Sequence, residues 1–528
     1  MNINKLTIIT LLGIATLAAC KDEPLPAPDA QQAAEQQQLE AAQPDDMMQL
    51  GQELQDPYRL SNMQQAYANI TGSKALLQPT HRYMRFLPKT EDEYDALKYS
   101  GLELFDFPLH YEIAQPGSQY HDPSLPAEAI TWQYAVIPMG QVFPESIEHE
   151  LLYEVFIPDH DADGSKSGLL ERLEIEAMRI TGHTDELIDT DGVKGISWNP
   201  SGTVSVWDDA LNRYIPLHGV KVRANFTTRA KWEYTDSEGY YRLPSFLFKV
   251  NYTIIWERAD YDIRDGRFGQ AKFNGPNQKS GWSPNIGSGK QLMFASIHRA
   301  AYKMFYGNNL GITNPKLIAG KSTKIACIDE HGDDLGEYDG NVNALGIFTT
   351  IKIWSKTSGG SYHKTYDIFK TTAHELGHQS HARLLNNVQY VQVSKYVRES
   401  WADAVMWAIT KNEYETWSIK LGYPARYYEY DRTNHFLWPH VIYPEYTPIF
   451  IDLMDAYNQG DYPPNLILSP NEKKPNDQVS GYTLKYINDN ILPSSYGISS
   501  LYHTLKEHLI AGVTQEQLDL LFELYWEY

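Results

Sequence analysis

The spacing of hydrophobic positions changes along the chain, and each pattern predicts a different kind of structure. Alternation at Tyr83–Leu87 and at Trp132–Ile137 predicts two strands, and the pattern of Glu91–Tyr99 between them predicts a helix. Short strands separated by turn residues follow, and the last part alternates helical stretches with one strand-rich patch. We therefore predict a multidomain α+β fold with an N-terminal α/β domain (79–186), a small β-sandwich (195–264) and a mostly helical domain with a short sheet (290–528).

The β-rich segment contains a specific turn. Asp236 to Gly239 forms an Asp-x-x-Gly sequence between two predicted strands, and Gly239 is expected to take a positive φ without steric cost. Together with Pro216–Val222, this turn resembles the carboxypeptidase regulatory-type, transthyretin-like β-sandwich. The resemblance implies a module that positions or supports a neighbour and carries no catalysis.

The N-terminal residues resemble the signal peptide of a bacterial lipoprotein. Lys5 precedes an apolar run, Leu6–Ala19, that is too short for a stable membrane span, and the run ends in Leu-Ala-Ala-Cys20. We expect residues 1–19 to be removed and Cys20 to carry the lipid anchor. The alternative is an ordinary secretory signal with a chance cysteine. The acidic residues in Lys21–Glu23 favour an outer membrane lipoprotein exposed at the cell surface, although they also fit the start of a linker.

Residues 20–60 are predicted to form a flexible stalk, because they consist mainly of Ala, Gln, Pro and acidic residues with little to bury. The whole chain has a net charge of −22, which argues against nucleic acid as a partner. Besides Cys20 the chain contains only Cys327. With Cys20 lipidated, we expect no disulfide framework and no thiolate zinc site, so that histidines and carboxylates must hold any metal.

A short acidic segment resembles the beginning of a calcium-binding loop. Asp159, Asp161 and Asp163 offer oxygen ligands at alternate positions and are followed by Gly164. The twelfth position of such a loop should be a glutamate, but here it is Leu170. The sequence therefore leaves two interpretations open, a calcium site and an acidic, solvated turn.

The strongest candidate for chemistry is His374-Glu375-Leu376-Gly377-His378. On a helix, His374 and His378 project from one face one turn apart, which suits two nitrogens that converge on one zinc ion. Glu375 is placed to take a proton from a water that the metal polarises. The motif is short enough to arise by chance, so its context decides its meaning.

A third metal ligand is predicted on a second helix. Glu399 follows His378 by 21 residues, and the segment from Arg398 to Thr410 has helical periodicity. Asp403 lies four residues after Glu399 and shares its face. We expect Glu399 to complete the zinc site and Asp403 to accept a hydrogen bond from a ligand histidine, which fixes the tautomer of the ring.

These residues resemble the gluzincins, the thermolysin-like class of zinc peptidases, in which a glutamate on a following helix completes the His-Glu-x-x-His site. The resemblance spans Thr371 to Asp403. It implies a zinc peptidase with zinc ligands His374, His378 and Glu399, and with Glu375 as the general base. Together with the lipoprotein signal, this leads us to expect a zinc endopeptidase on the cell surface that hydrolyses extracellular proteins or glycoproteins. The order of lipoprotein stem, β-sandwich and peptidase also resembles a bacterial lipoprotein family of unsettled function.

Further candidate residues surround this motif. His381 is expected to be a neighbour of the ligands or exposed, because three ligands along one helix would span about 10 Å. Ile347–Trp354 is a candidate edge strand for substrate or, alternatively, part of a plain structural hairpin. The neighbouring acidic loop, Asp329–Asp339, is predicted to be solvated, with a calcium role left open. A donor to the oxyanion is sought in one aromatic stretch: Tyr427, Tyr428, Tyr430, His435, His440, Tyr443 and Tyr446, of which Tyr446 is favoured.

Two other hypotheses remain open from the sequence. The chain could be a surface binding or adhesion lipoprotein whose peptidase fold is inactive, although the presence of Glu375 and all three ligands favours activity. The motif could also be a coincidence in a structural helix. In that case two imidazoles and a glutamate would be buried without a metal, at a considerable energetic cost.

Overall fold

A computed structural model describes residues 47–526, apart from 116, 118, 127–128, 160–166, 185–196, 267–268, 318–320, 340–349, 424–446 and 459–475. Several predicted residues lie outside the described residues: Cys20, Asp161, Asp163 and the aromatic stretch that contains Tyr446. Within the described part, no helix has the length and apolar character needed to cross a membrane. The fold is mixed α and β, with several small sheets and a helical C-terminal region, as the coarse sequence pattern predicts.

The N-terminal region combines two small antiparallel sheets with helices. Its elements are β1 (Gln49–Glu53), α1 (Leu60–Thr71), β2 (His81–Leu87), α2 (Glu91–Tyr99), β3 (Tyr111–Gln115), β4 (Gln133–Pro138), β5 (Glu148–Val155) and α3 (Ser167–Ile180). Strand β2 lies between β4 and β5, and β1 pairs with β3. The predicted strands and helix are confirmed here. Helix α2 begins where the Thr90 side chain accepts a hydrogen bond from the Glu93 amide, an N-cap arrangement.

The last part of the predicted stalk is ordered, which its composition does not indicate. Gln49–Glu53, which lies inside the predicted segment 20–60, already forms strand β1. Tyr58 is 1% exposed, and the buried Asp56 carboxylate accepts hydrogen bonds from the hydroxyls of Thr227 and Thr228 at 2.9 and 2.8 Å. The average composition of residues 20–60 does not predict this ordered part. Order here depends on a few specific polar contacts, which compensate for the burial of Asp56.

The strands of the β-rich region are β6 (Ser201–Thr203), β7 (Ser205–Asp208), β8 (Arg213–Pro216), β9 (Lys221–Phe226), β10 (Arg229–Tyr234), β11 (Tyr240–Arg242), β12 (Val250–Ile255), β13 (Glu257–Arg258), β14 (Tyr261–Asp265), β15 (Gly269–Gln270), β16 (Lys272–Gln278) and β17 (Asn285–Ile286). Four of them form an antiparallel sheet in the order β10-β9-β12-β16, and others form two smaller sheets, β17-β7-β8 and β11-β6. The predicted turn is present: Gly239 has φ +72°, and Asp236 accepts a hydrogen bond from the Tyr240 amide at 2.9 Å.

The end of this region differs from the prediction. The β-rich segment continues past residue 264 to β16 and β17, while β14, at the predicted end of the sandwich, belongs to a different sheet. That mixed sheet has the order β13-β14-β18-β20-β19, with β15 paired to β14; its later strands are β18 (Thr323–Ile328), β19 (Gly336–Asp339) and β20 (Thr350–Trp354). Strand β14 pairs in parallel with β18, a long-range pairing that has no local signature in the sequence.

Helices fill most of the C-terminal region and cover the mixed sheet. They are α4 (Gly289–Phe305), α5 (Thr365–Leu385), α6 (Asn387–Tyr390), α7 (Lys395–Leu421), α8 (Ile449–Asp452), α9 (Leu484–Tyr486), a π-helical turn (Ile487–Ile491), a 3₁₀ turn (Leu492–Ser494), α10 (Ile498–Glu507) and α11 (Gln515–Tyr525). Helix α5 packs against both α4 and α7. A single hydrophobic core extends from Val204 in the β-rich region to Tyr525 in the last helix.

Candidate metal centre

Helix α5 holds the two histidines of the motif in a fixed, buried position. Its first residue is anchored by the β-rich region, since Asp209 accepts a hydrogen bond from the Thr365 amide at 2.9 Å. A carboxylate at this end of a helix also compensates the unpaired amides of the first turn. His374 is 9% exposed and His378 is 5% exposed, so both rings are held inside the protein.

Helix α7 brings Glu399 and Asp403 to the same place. It begins at Lys395 behind Ser394, whose hydroxyl accepts a hydrogen bond from the Val397 amide. The two helices approach closely at Gly377, where an added Cβ would lie 3.2 Å from the Val405 Cβ and 3.3 Å from the Ala402 Cα. The glycine inside the motif therefore allows α7 to approach α5, and this approach places Glu399 beside the histidines.

Three candidate ligand atoms form a compact triangle. His374 Nε2 and His378 Nε2 are 3.1 Å apart, and Glu399 Oε2 lies 3.5 Å from the first and 3.1 Å from the second. Ligand atoms about 2.1 Å from a tetrahedral zinc ion should lie about 3.4 Å from one another. Two imidazole nitrogens and one carboxylate at this spacing are a donor set that fits zinc. Among the described residues, this is the one group of three that could hold a metal.

The outer ring nitrogens of both histidines also have partners. His374 Nδ1 lies 2.9 Å from Asp403 Oδ1, as the sequence predicts, and His378 Nδ1 lies 3.2 Å from the hydroxyl of Tyr390. A ring that binds metal through Nε2 carries its proton on Nδ1, so Asp403 and the Tyr390 oxygen would both act as acceptors. Each contact fixes the orientation of one ring.

The charge states in the cluster follow from these contacts. Burial lowers the pKa of His374, but its hydrogen bonds with Asp403 and Glu399 outweigh that effect and leave the pKa well above its ordinary value. Burial raises the pKa of Glu399, but the two histidines reverse the effect and hold the pKa below its ordinary value. Glu399 is therefore a carboxylate at neutral pH, the form that ligates a metal.

Glu375 follows the first histidine on α5 and is 5% exposed. Burial raises the pKa of its carboxyl; His374 and His378 oppose the increase, while the negative charges of Glu399 and Glu337 add to it. A carboxyl with a raised pKa is a better proton acceptor than one in water. Strand β19 lies directly against it, since a Cβ added to Gly336 would come within 2.5 Å of Glu375 Oε1.

The edge strand next to the cluster is not the one that the sequence predicts. Thr350–Trp354, the described part of the predicted rim strand Ile347–Trp354, is β20 and lies between β18 and β19. Among the strands that the structure describes, β19 is at the edge, and it is formed by the end of the predicted acidic loop, Asp329–Asp339. Alternation of hydrophobic residues indicates that β20 is a strand, but it does not indicate which neighbours it pairs with.

The remaining predictions have mixed outcomes. His381 is fully buried, and neither of its ring nitrogens has a hydrogen-bond partner among the described residues. Its ring packs edge-on against Tyr390 with centroids 5.2 Å apart, and the residue is not part of the triangle. Of the three aspartates of the predicted calcium loop, Asp159, Asp161 and Asp163, only Asp159 lies among the described residues, and the favoured oxyanion donor Tyr446 lies outside them.

The sequence interpretation misses three residues near the cluster: Gly336, Tyr338 and Tyr390. The Tyr338 ring stacks on His378 with centroids 5.8 Å apart and an angle of 23°. Tyr390 lies between the motif and Glu399 along the chain. This position is the only feature of the sequence that could have indicated a place for Tyr390 near the cluster. Gly336 and Tyr338 have no such signal, because they reach the cluster through strand pairing.

Comparison with models of known protein families gives no match, and comparison with curated proteins gives none either. The geometry of this cluster is therefore the main indication of what the protein does. The two histidine nitrogens and the Glu399 carboxylate can hold a divalent cation. The carboxylate of Glu375, which lies on the same helix as the histidines, can exchange a proton with a bound water.

Proposed function

We propose that the protein is a zinc-dependent endopeptidase that acts on extracellular proteins or glycoproteins. The observation that supports this most directly is the triangle of His374, His378 and Glu399 atoms, with sides of 3.1 to 3.5 Å, beside the buried carboxylate of Glu375. The C-terminal region would be a gluzincin-like catalytic unit, and the β-rich region a carboxypeptidase regulatory-like support. Asp403 would orient the first ligand.

In this proposal His374, His378 and Glu399 would hold a zinc ion, which would supply a Lewis acid for the attacking water and the scissile carbonyl. Glu375 then accepts a proton from the water as its oxygen attacks the carbonyl carbon. The same carboxyl returns the proton to the leaving amine nitrogen when the C–N bond breaks, which restores the Glu375 carboxylate. The burial of Glu375 suits this role, because it raises the pKa of the carboxyl toward that of a general base.

We also propose that Cys20 anchors the mature protein to the outer membrane, with the globular part at the cell surface. The support is the sequence Leu-Ala-Ala-Cys after an apolar run, followed by acidic residues. The net charge of −22 supports a protein or glycoprotein substrate over nucleic acid. Radiolabelled palmitate should be incorporated into the wild-type protein and should be absent from Cys20→Ser.

The function is tested by metal analysis and proteolysis on matched variants. Wild-type protein should hold one zinc per chain and cleave casein or mucin. Glu399→Ala should lose both zinc and activity, whereas Glu375→Gln should keep zinc and lose activity. Glu415 is exposed on the same helix as Glu399, so Glu415→Ala and Glu415→Gln are the matched controls and should behave as wild type.

Each contrary result has a distinct meaning. Full activity in Glu375→Gln would remove the proposed chemistry, and wild-type protein without bound metal would make the motif a coincidence. Bound zinc without cleavage of any substrate would favour the inactive binding lipoprotein. Comparing cleavage of a glycosylated substrate with that of its deglycosylated form shows whether a glycan is required.

A further inference from the structure

The protein contains a cavity of about 460 Å³ that is separate from the metal cluster. Its lining residues all precede the cluster along the chain, and none of them belongs to the cluster. The cavity lies between the N-terminal region and the strands β14 to β16. Helix α2 contributes Tyr94 and Lys98 to its lining, and strands β14 and β16 contribute Arg264 and Lys272. Cavities of about 300–1,000 Å³ are typical of small-molecule sites. The exposed side chains of Met47 and Lys89 mark its solvent side.

The charged groups of the cavity wall neutralise one another. Lys98 Nζ lies 2.6 Å from Glu257, and Arg264 lies 2.9 Å from Asp262. Further ion pairs of the wall include Lys272 with Asp106, Glu91 with Lys324 and Lys89 with Glu148. A ligand with a net charge would have to disrupt one of these pairs, and an uncompensated charge would remain in a largely buried place. The wall therefore favours a neutral ligand.

The wall also offers neutral groups that can form hydrogen bonds. The hydroxyls of Tyr94 and Tyr120 and the amide oxygen of Gln133 have no partner among the described residues. Gln133 is 5% exposed and lines the cavity, so its amide oxygen is available to a ligand there. Burial raises the pKa of Tyr94 to about 12 and that of Tyr120 to about 12, which keeps both phenols neutral and able to donate.

We propose that this cavity binds a neutral saccharide of one or two rings. Sugar hydroxyls both donate and accept hydrogen bonds, so they can pair with phenols, an amide oxygen and the remaining donors and acceptors of the ion pairs without adding charge. The apolar side chains of Leu102, Leu104 and Ile130 complete the wall and can cover the C–H faces of a ring. This site is separate from the proposed catalytic centre and does not depend on it.

The test uses isothermal titration calorimetry of the whole protein with glucose, galactose, N-acetylglucosamine, N-acetylgalactosamine, lactose and chitobiose. Glucuronic acid and glucose 6-phosphate are the charged counterparts. At least one neutral sugar should bind saturably. Glucuronic acid and glucose 6-phosphate should both bind at least about tenfold more weakly than that sugar. If no neutral sugar binds, or if the charged sugars bind equally well, the proposal is wrong.

Variants locate the binding. Ala129 lines the cavity, so Ala129→Trp should fill it and weaken sugar binding at least about tenfold, whereas Ala114→Trp, on an exposed position of β3, should not. Tyr120→Phe preserves the shape and removes one hydroxyl, and it should also weaken binding. Glu399→Ala should bind sugar as wild type does. Unchanged binding in both Ala129→Trp and Tyr120→Phe, or loss of binding in Glu399→Ala, would place the sugar elsewhere and overturn the proposal.

Discussion

Replacing Gly336 with alanine should disturb Glu375 while leaving the metal ligands in place. The added Cβ would lie 2.5 Å from Glu375 Oε1 and 2.5 Å from Thr371 Cγ2. Ordinary contact distances are about 3.5 Å, so either the carboxylate or strand β19 must move by about 1 Å. The backbone of Gly336 does not have a positive φ, so the effect comes from the side-chain contact alone.

A misplacement of about 1 Å in a catalytic group costs about 100-fold in rate, which corresponds to about 2.7 kcal/mol in the activation barrier. We therefore expect Gly336→Ala to lower kcat/KM for casein or a fluorogenic peptide by about two orders of magnitude. Bound zinc should remain at one per chain, because the three heavy atoms nearest to the added Cβ belong to Glu375 and Thr371 and not to a metal ligand. The loss would then lie in the proton transfer and not in metal binding.

The matched control is Gly359→Ala, since an added Cβ there would find its nearest neighbour, Thr357 Oγ1, at 3.7 Å. This variant should retain wild-type activity and zinc content. Thermal unfolding of both variants shows whether overpacking, which typically costs about 1–3 kcal/mol, has destabilised the fold. If Gly336→Ala keeps kcat/KM within threefold of wild type, the added Cβ does not displace the Glu375 carboxylate. The described contact between Glu375 and β19 would then be wrong.

Three further predictions concern carboxylates that are buried or half-buried: Asp403, Asp208 and Asp455. Asp403→Ala should weaken zinc affinity about 10–100-fold in a chelator competition, and unchanged affinity would reduce Asp403 to a packing role. Asp208 is fully buried 2.6 Å from Arg299, so Asp208→Ala should lower the free energy of unfolding by about 3–5 kcal/mol in urea titrations; a loss below 1 kcal/mol would contradict this. Burial raises the pKa of Asp455 to about 6, so the folded state favours the protonated carboxyl. As the pH rises from about 4 to about 6, the free energy of unfolding of the wild type should therefore fall by about 1–3 kcal/mol relative to that of Asp455→Asn, with little change above; parallel pH profiles would contradict this.

Local periodicity was sufficient to predict the parts of the site that lie on single helices. His374 and His378 share a face because the helical repeat brings residues four apart into register, and the same repeat joins Glu399 to Asp403. The Asp236 to Gly239 turn was equally predictable, because its geometry depends on four consecutive residues. Such features depend on short-range sterics and hydrogen bonding, which are encoded within a few positions of the chain.

Strand order could not be predicted in the same way. The alternation of β20 indicates a strand, but its place between β18 and β19 depends on pairing with residues that lie outside its own segment. As a consequence, the sequence alone assigned the rim of the candidate site to the wrong strand. Gly336 and Tyr338 could not be found for the same reason, since strand pairing brings them to Glu375 and His378.

The predicted separation into successive domains shows a related limit. Hydrophobic spacing identifies which faces are buried, but it does not identify the partner that buries them. Here Val204 and Tyr525 belong to one core, and strand β14 joins the sheet of the C-terminal region. Asp209 of the β-rich region anchors the first turn of α5. The β-rich region is therefore part of the scaffold that positions the histidines, because removing it would expose shared core and free the start of the helix that carries them.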